Sequence, residues 1–206
     1  MSQWPTLLLA TGNRAKAREY ARLLEGIPWQ LTTLADLGID TEVSETGATF
    51  EENAAMKARA YAAQSGLTTL ADDSGLEVDA LGGEPGVRSA RYAGEGATDR
   101  ERIHYLLDKL AGVPRGERAA RFVCVIAIAA PDGEVTLCRG ECPGVITMEP
   151  EGEHGFGYDP VFYLPALGKT MAQLSMEEKN ELSHRGQAAW RARDALEALA
   201  RRPQGP

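Results

Sequence analysis

The chain has 206 residues, 43% hydrophobic and 25% charged, an ordinary globular composition with length enough for one good-sized core or two small lobes. Its 30 acidic residues outweigh 22 basic ones, for a formal net charge of −8. A nucleic-acid polymer calls for a basic face, so this balance argues against DNA or RNA and leaves open a small anion met by clustered cations.

In chain order, residues 6–10 read as a short buried strand, interrupted by Thr11-Gly12-Asn13. Ala17, Tyr20, Ala21 and Leu24 recur at helical spacing, which predicts a helix over 14–24. A second strand is expected near 29–33. Thr49-Phe50-Glu51-Glu52 has the form of a capping box, Thr49 accepting from the backbone and Glu52 reaching back, and opens an Ala-rich helix to about residue 64. Residues 67–71 form the next strand and lead straight into Asp72-Asp73-Ser74-Gly75, so two carboxylates are expected at a strand's C-terminal end.

Gly82-Gly83-Glu84-Pro85-Gly86 is a loop. Thr98-Asp99-Arg100-Glu101 is a second capping box and starts a helix to about residue 110. Residues 118–130 are apolar on both faces, as in a central strand, and Pro131-Asp132-Gly133 turns them into a partner strand over 134–139. Ser175-Met176-Glu177-Glu178 opens a short helix. Ser183 caps the last one, with Ala188, Trp190, Ala195 and Leu199 assigned to the core, and the tail Pro203-Gln204-Gly205-Pro206 is expected to fray. Alternating strands and helices followed by a hairpin predict an α/β fold with a mixed sheet. No repeat or long linker is visible, so residues 1–206 read as one domain, with two lobes and a cleft between them.

Cys124, Cys138 and Cys142 form no CxxC pair and are odd in number, which fits a reducing cytosol. The first residues carry no basic region before Leu7-Leu8-Leu9-Ala10, and no segment nears the roughly 18 apolar residues of a membrane helix. A cytoplasmic protein without membrane contact is expected.

Several segments carry candidate chemistry. Thr11-Gly12-Asn13 lies between strand and helix, where free amides and the positive end of a helix dipole suit a phosphate, with Lys16 one turn in. The same segment also reads as a plain turn with Asn13 as N-cap and Lys16 in water. Asp72 and Asp73 point to opposite sides of a strand and so have different tasks; one suits a hard divalent cation or a water, although a solvated turn uses the same residues. Glu45-Thr46-Gly47 offers a further carboxylate, and Asn53 and Lys57 share a helix face. Gly155-Phe156-Gly157-Tyr158-Asp159-Pro160 combines a ring with close backbone approach, which suits base stacking or a structural turn. Ser183-His184-Arg185-Gly186 puts cations at a helix start, awkward unless they meet an anion or a carbonyl. Gly168-Lys169-Thr170 looks like the end of a Walker A loop, but position 163 is Tyr where the pattern needs glycine.

Together these segments resemble one family, the inosine triphosphate (non-standard purine triphosphate) pyrophosphatases. The resemblance runs in order through Leu9-Ala10-Thr11-Gly12-Asn13, Glu45-Thr46-Gly47, Phe50-Glu51-Glu52-Asn53-Ala54 and Ala71-Asp72-Asp73-Ser74-Gly75-Leu76. It continues through Gly86, Ser89-Ala90-Arg91-Tyr92, Phe156-Gly157-Tyr158-Asp159-Pro160, Glu178-Lys179 and Ser183-His184-Arg185-Gly186. It implies a long mixed sheet flanked by helices, a substrate cleft between two lobes, a homodimer, and Mg²⁺ as cofactor. By that similarity Thr11, Gly12, Asn13, Arg14, Ala15, Lys16 and Lys57 hold the triphosphate. Asp73 accepts the proton of the attacking water and shares the metal with Glu45, chosen over Glu42 for its place beside Thr46-Gly47. Ser74 contacts substrate; Phe156 stacks on the base, with Gly157, Tyr158 and Asp159 around it; Lys179, His184 and Arg185 complete the pocket. Lys16, Lys57 and Lys179 form the expected cationic cluster.

The implied reaction is hydrolysis of inosine and xanthosine triphosphates, ribo or deoxy, to monophosphate and pyrophosphate. Hypoxanthine and xanthine present an acceptor at O6 and a donor at N1, and adenine reverses both; a donor such as Arg185 at position 6 therefore rejects adenine. Alternatives are a broader nucleotide pyrophosphatase and a nucleotide sensor that has no use for Asp73 and Glu45 at a metal.

Overall fold

Leu7, Leu8 and Leu9 follow one another with no polar residue between, the pattern of a strand covered on both faces. In the computed structural model, which describes residues 4–201, they lie in β1 (Thr6–Leu9) and all three are buried. The tail at 203–206 lies outside the described residues. β1 pairs in parallel with β2 (Gln30–Thr33), Leu7 opposite Leu31, and with β3 (Thr68–Val78), Leu7 opposite Thr68. Parallel neighbours need crossovers, and α1 (Arg14–Leu23) and α2 (Phe50–Ser65) supply them.

The remaining elements are α3 (Asp99–Lys109), β4 (Ala119–Ala129), β5 (Val135–Ile146), β6 (Phe162–Leu164), β7 (Lys169–Thr170), α4 (Met176–Leu182) and α5 (His184–Ala200). The strands form a seven-stranded sheet in the order β2-β1-β3-β4-β5-β6-β7. β6 is antiparallel to both β5 and β7, so the sheet is mixed, as expected. Among the described residues no helix is long and apolar enough to cross a membrane.

The chain divides into two compact units. One takes in the chain up to Asp73, residues 124–140 and the chain from Gln187; the other holds residues 74–123 and 141–186. The first has a core of Leu7, Leu9, Tyr20, Trp29, Ile126 and Leu196, among others. There Trp29 Nε1 donates to Leu196 O at 2.9 Å, which satisfies its one polar atom. The second is built on Leu76, Val78, Leu106, Phe122, Phe162 and Met171. Within it Arg118, 1% exposed, donates to the carbonyls of Leu110, Val113 and Thr147 and so closes the C-terminal end of α3.

Two expectations need correction. Asp72 and Asp73 do not end a strand, because β3 runs on to Val78 with Leu76 and Val78 both fully buried. What stops near the carboxylates is the ladder to β1, whose last pair is Leu9 opposite Leu70. Trp190 is not core: it is 63% exposed, whereas Ala188, Ala189 and Ala192 are fully buried. At 100° per residue Trp190 stands 200° round the helix from Ala188.

Candidate active site

In the first unit, the chemistry gathers where β3 passes the end of β1. Successive strand residues face opposite sides, and Asp72 and Asp73 use this to meet different partners. Asp72, 3% exposed, accepts from Lys16 Nζ at 2.8 Å. Asp73, 6% exposed, accepts from Asn53 Nδ2 at 3.0 Å. Burial, the largest influence, lifts the Asp73 carboxyl to about 6; the Lys57 ammonium opposes the rise and the charge of Glu45 adds to it. Asp73 is thus a carboxylate poised near neutrality, as a proton acceptor requires.

Helix α2 brings two side chains to this place. Thr49 caps it by accepting from Glu52 N, but Glu52 reaches past Thr49 to Ala48 N, so only half of the expected box forms. Asn53 and, one turn on, Lys57 then stand on one face. Lys57 Nζ donates to Glu45 Oε1 at 2.5 Å. Burial depresses the Lys57 ammonium, yet the charges of Asp72, Asp73 and Glu45 outweigh it and hold the pKa above its ordinary value. Glu42 is exposed, and Glu45 is the partly buried glutamate beside Lys57.

At the start of α1, Asn13 is the N-cap, its Oδ1 accepting from Ala15 N at 2.8 Å and Lys16 N at 3.2 Å. Thr11 Oγ1 accepts from Asn13 N. Gly12 and Arg14 are exposed. The turn and the anion-site readings of this segment describe one object, a helix start whose Lys16 is directed to Asp72 and not into water.

In the second unit, the loop 155–159 carries a half-buried Phe156. Asp159 Oδ2 accepts from Phe156 N at 2.9 Å and from Lys179 Nζ at 2.7 Å. Gly155, at φ 80°, is the one residue type that fits here, since a Cβ would sit 2.0 Å from Asp159 Oδ2. Gly157 N donates to Asp99 Oδ2 at 2.6 Å, and Tyr158 Oη to Ser89 O at 2.9 Å. Two cations approach the Phe156 ring: Lys179 Nζ at 4.7 Å and the Arg185 guanidinium at 5.4 Å. Arg185 Nη2 also donates to Ser74 Oγ at 3.1 Å. His184 stacks on Phe122 with ring centroids 4.7 Å apart. Lys179 is bound to Asp159 in the loop 155–159.

A profile of the Ham1 family matches residues 7–195. The chain belongs to the Ham1 family. It is 52% identical over 192 residues to the dITP/XTP pyrophosphatase of Shigella flexneri, across 92% of this chain and 97% of that one. It is 54% identical over 182 residues to the dITP/XTP pyrophosphatase of Thermus thermophilus, across 88% and 87% of the two chains. Among solved structures, a HAM1 protein from Coxiella burnetii superposes with a TM-score of 0.87 at 42% identity, covering 94% of this chain and 99% of the other.

The donor chemistry of this Ham1-family chain fits a hard divalent cation. Glu45 and Asp73 offer oxygens, and the charge of one raises the proton affinity of the other, a repulsion that a cation relieves. Among the described residues no three His, Cys, Asp or Glu side chains gather into a ready-made cage. One or two carboxylates completed by substrate phosphates is how Mg²⁺ is held. Two residues stand out that the sequence did not single out for a role, Asn53 against Asp73 and Asp99 against the Phe156 loop. Asp99 carried the signal of a helix N-terminus only.

Proposed function

We propose that this chain hydrolyses non-standard purine nucleoside triphosphates of the dITP and XTP class to the monophosphate and pyrophosphate. The substrate class rests on the more than half identity to dITP/XTP pyrophosphatases over most of the chain. The observation that carries the mechanism is the buried Asp73, near neutral in proton affinity and set among Asn53, Lys57 and Glu45. Asp73 takes the proton of the attacking water as it closes on phosphorus. Glu45 and Asp73 would hold Mg²⁺, which when bound would supply neutralisation of phosphate charge and acidification of water. Lys16, Lys57 and the amides at the start of α1 bind and orient the triphosphate; a bound anion draws Lys16 and Lys57 from Asp72 and Glu45 toward phosphate oxygens.

Phe156 stacks on the purine, with Lys179 and Asp159 setting the ring's position. Arg185 donates to the 6-keto oxygen and leaves an adenine amine unmatched, at a cost of about 1–3 kcal/mol for each reversed contact. The chain acts as a homodimer in the cytoplasm, where its three buried thiols stay reduced.

Pyrophosphate release across ITP, dITP, XTP, GTP and ATP, with Mg²⁺ or with EDTA, tests the reading. The expected result is fast turnover of the first three, about a hundredfold slower turnover of ATP, and loss of release in EDTA. Similar rates on all five identify a broader pyrophosphatase; binding without release identifies a sensor.

A further inference from the structure

Asn53 is wholly buried, 0% exposed, and both ends of its amide are engaged. Oδ1 accepts from Gly47 N at 2.8 Å, and Nδ2 donates to Asp73 Oδ2 at 3.0 Å. The two partners fix the amide's sense: one is a donor and the other an acceptor, so a flipped amide mismatches at both ends. The contact with residue 47 also dictates glycine there, since a Cβ would lie 2.7 Å from Asn53 Oδ1 and 2.7 Å from Glu52 Cβ. Glu45 is two residues from Gly47, and one turn along α2 Lys57 holds the Glu45 carboxylate itself.

We propose that Asn53 is a positioning residue that sets, through one amide, both the Asp73 carboxylate and the 45–47 segment that presents Glu45. This rests on the hydrolytic reading of the Asp73 site. Residue chemistry narrows the choice at this position. A lysine has no acceptor for Gly47 N, an aspartate has no donor for Asp73, and glutamine is one methylene too long for a slot filled to zero exposure. Only a short neutral amide holds a carboxylate without neutralising it by proximity and accepts a backbone N–H with its other end.

Hydrogen exchange of the Gly47 amide, read by NMR, tests the link without needing turnover. Asp73 does not bond to Gly47, yet Asp73→Ala removes the anchor of Asn53 and is expected to speed Gly47 exchange about threefold to tenfold, the worth of one hydrogen bond. In an Asn53→Ala background the same change adds nothing. Asn53→Asp, nearly isosteric, keeps the acceptor for Gly47 N but loses the donor to Asp73, so Gly47 exchange rises no further than in Asp73→Ala while kcat with Mg²⁺ falls at least about tenfold, with substrate KM within about threefold. A role in folding alone lowers the melting temperature but leaves kcat per folded molecule unchanged. Unchanged Gly47 exchange in Asp73→Ala, equal acceleration in both backgrounds, or full kcat in Asn53→Asp overturns the proposal. A parent protein that releases no pyrophosphate defeats the hydrolytic reading instead, and the exchange coupling still decides whether Asn53 links the two segments.

Discussion

Two sites, one in each unit, use the same bond, amide N–H to carboxylate, to different ends. In the first unit, a side-chain amide holds a carboxylate: Asn53 steadies Asp73, whose proton affinity stays high because burial outweighs the nearby cations. In the unit of residues 74–123 and 141–186, carboxylates hold backbone amides. Asp159 takes Phe156 N and Asp99 takes Gly157 N, and each has a cation besides, Lys179 for Asp159 and Arg102 for Asp99. A carboxylate matched by donors and a cation is a strut. One that burial keeps basic is available for chemistry. The surroundings assign the task, and the residue type does not.

The severest way to break this contrast is Asp73→Asn. Turnover is expected to fall by about 10³-fold or more, as for loss of a general base, while the fold persists because asparagine fills the same space. The stability sign is specific. A carboxyl whose folded pKa is about 6 against an ordinary 3.8 costs stability when ionised, so this cost is absent below pH 3.8 and fully present above about 6. In EDTA Asp73→Asn is therefore more stable than the parent at pH 8, by on the order of 2–3 kcal/mol and with a higher melting temperature, and the gap closes toward pH 4. Thermal melts at the two pH values check it. A gap that widens on acidification contradicts the assignment of Asp73 as the strained carboxylate.

Much of this was legible in the sequence, for reasons that differ by element. Leu7-Leu8-Leu9 announced a buried strand because three apolar residues in succession suit no half-exposed one. Thr98 and Glu101 announced a helix start because their bonds are local, and both form. The β3 boundary was hidden because Asp72-Asp73-Ser74-Gly75 has the composition of a turn, and only the burial of Leu76 and Val78 carries the strand through it. Trp190 was assigned to the core on hydrophobicity, although the helical period sets it opposite Ala188. The site divides in the same way. Segments next to a helix start or a glycine pair could be read, whereas Lys16 with Asp72, 56 residues apart, and Asn53 with Asp73, 20 apart, are products of the sheet. The sequence shows Asn53 on the helix face of Lys57, but its bond to Asp73 exists only once β3 is beside α2.

Arg185→Ala sharpens the comparison from the other unit, with a smaller effect confined to selection. Its guanidinium lies near Phe156 and donates to Ser74. Removing it is expected to lower kcat/KM for dITP by about a hundredfold and that for dATP by only about fivefold, because only the keto base loses a matched donor. Rates on the two nucleotides measure the difference. Equal loss on both removes Arg185 from base reading.

The smallest expected effect tests whether a strut is merely a strut. Asp99 Oδ2 meets Gly157 N, and its other oxygen meets Arg102 within the first turn of α3. Asp99→Asn keeps an acceptor for Gly157 N but gives up the charge, so KM for dITP is expected to rise by about threefold with kcat unchanged. Asp99→Ala removes the acceptor as well and raises KM by about tenfold. Inhibition by inorganic tripolyphosphate, which has no base to stack, stays the same in both variants. Loss of tripolyphosphate binding means that Asp99 serves the phosphates too, and the division of labour between a carboxylate that reacts and carboxylates that brace then fails at this residue.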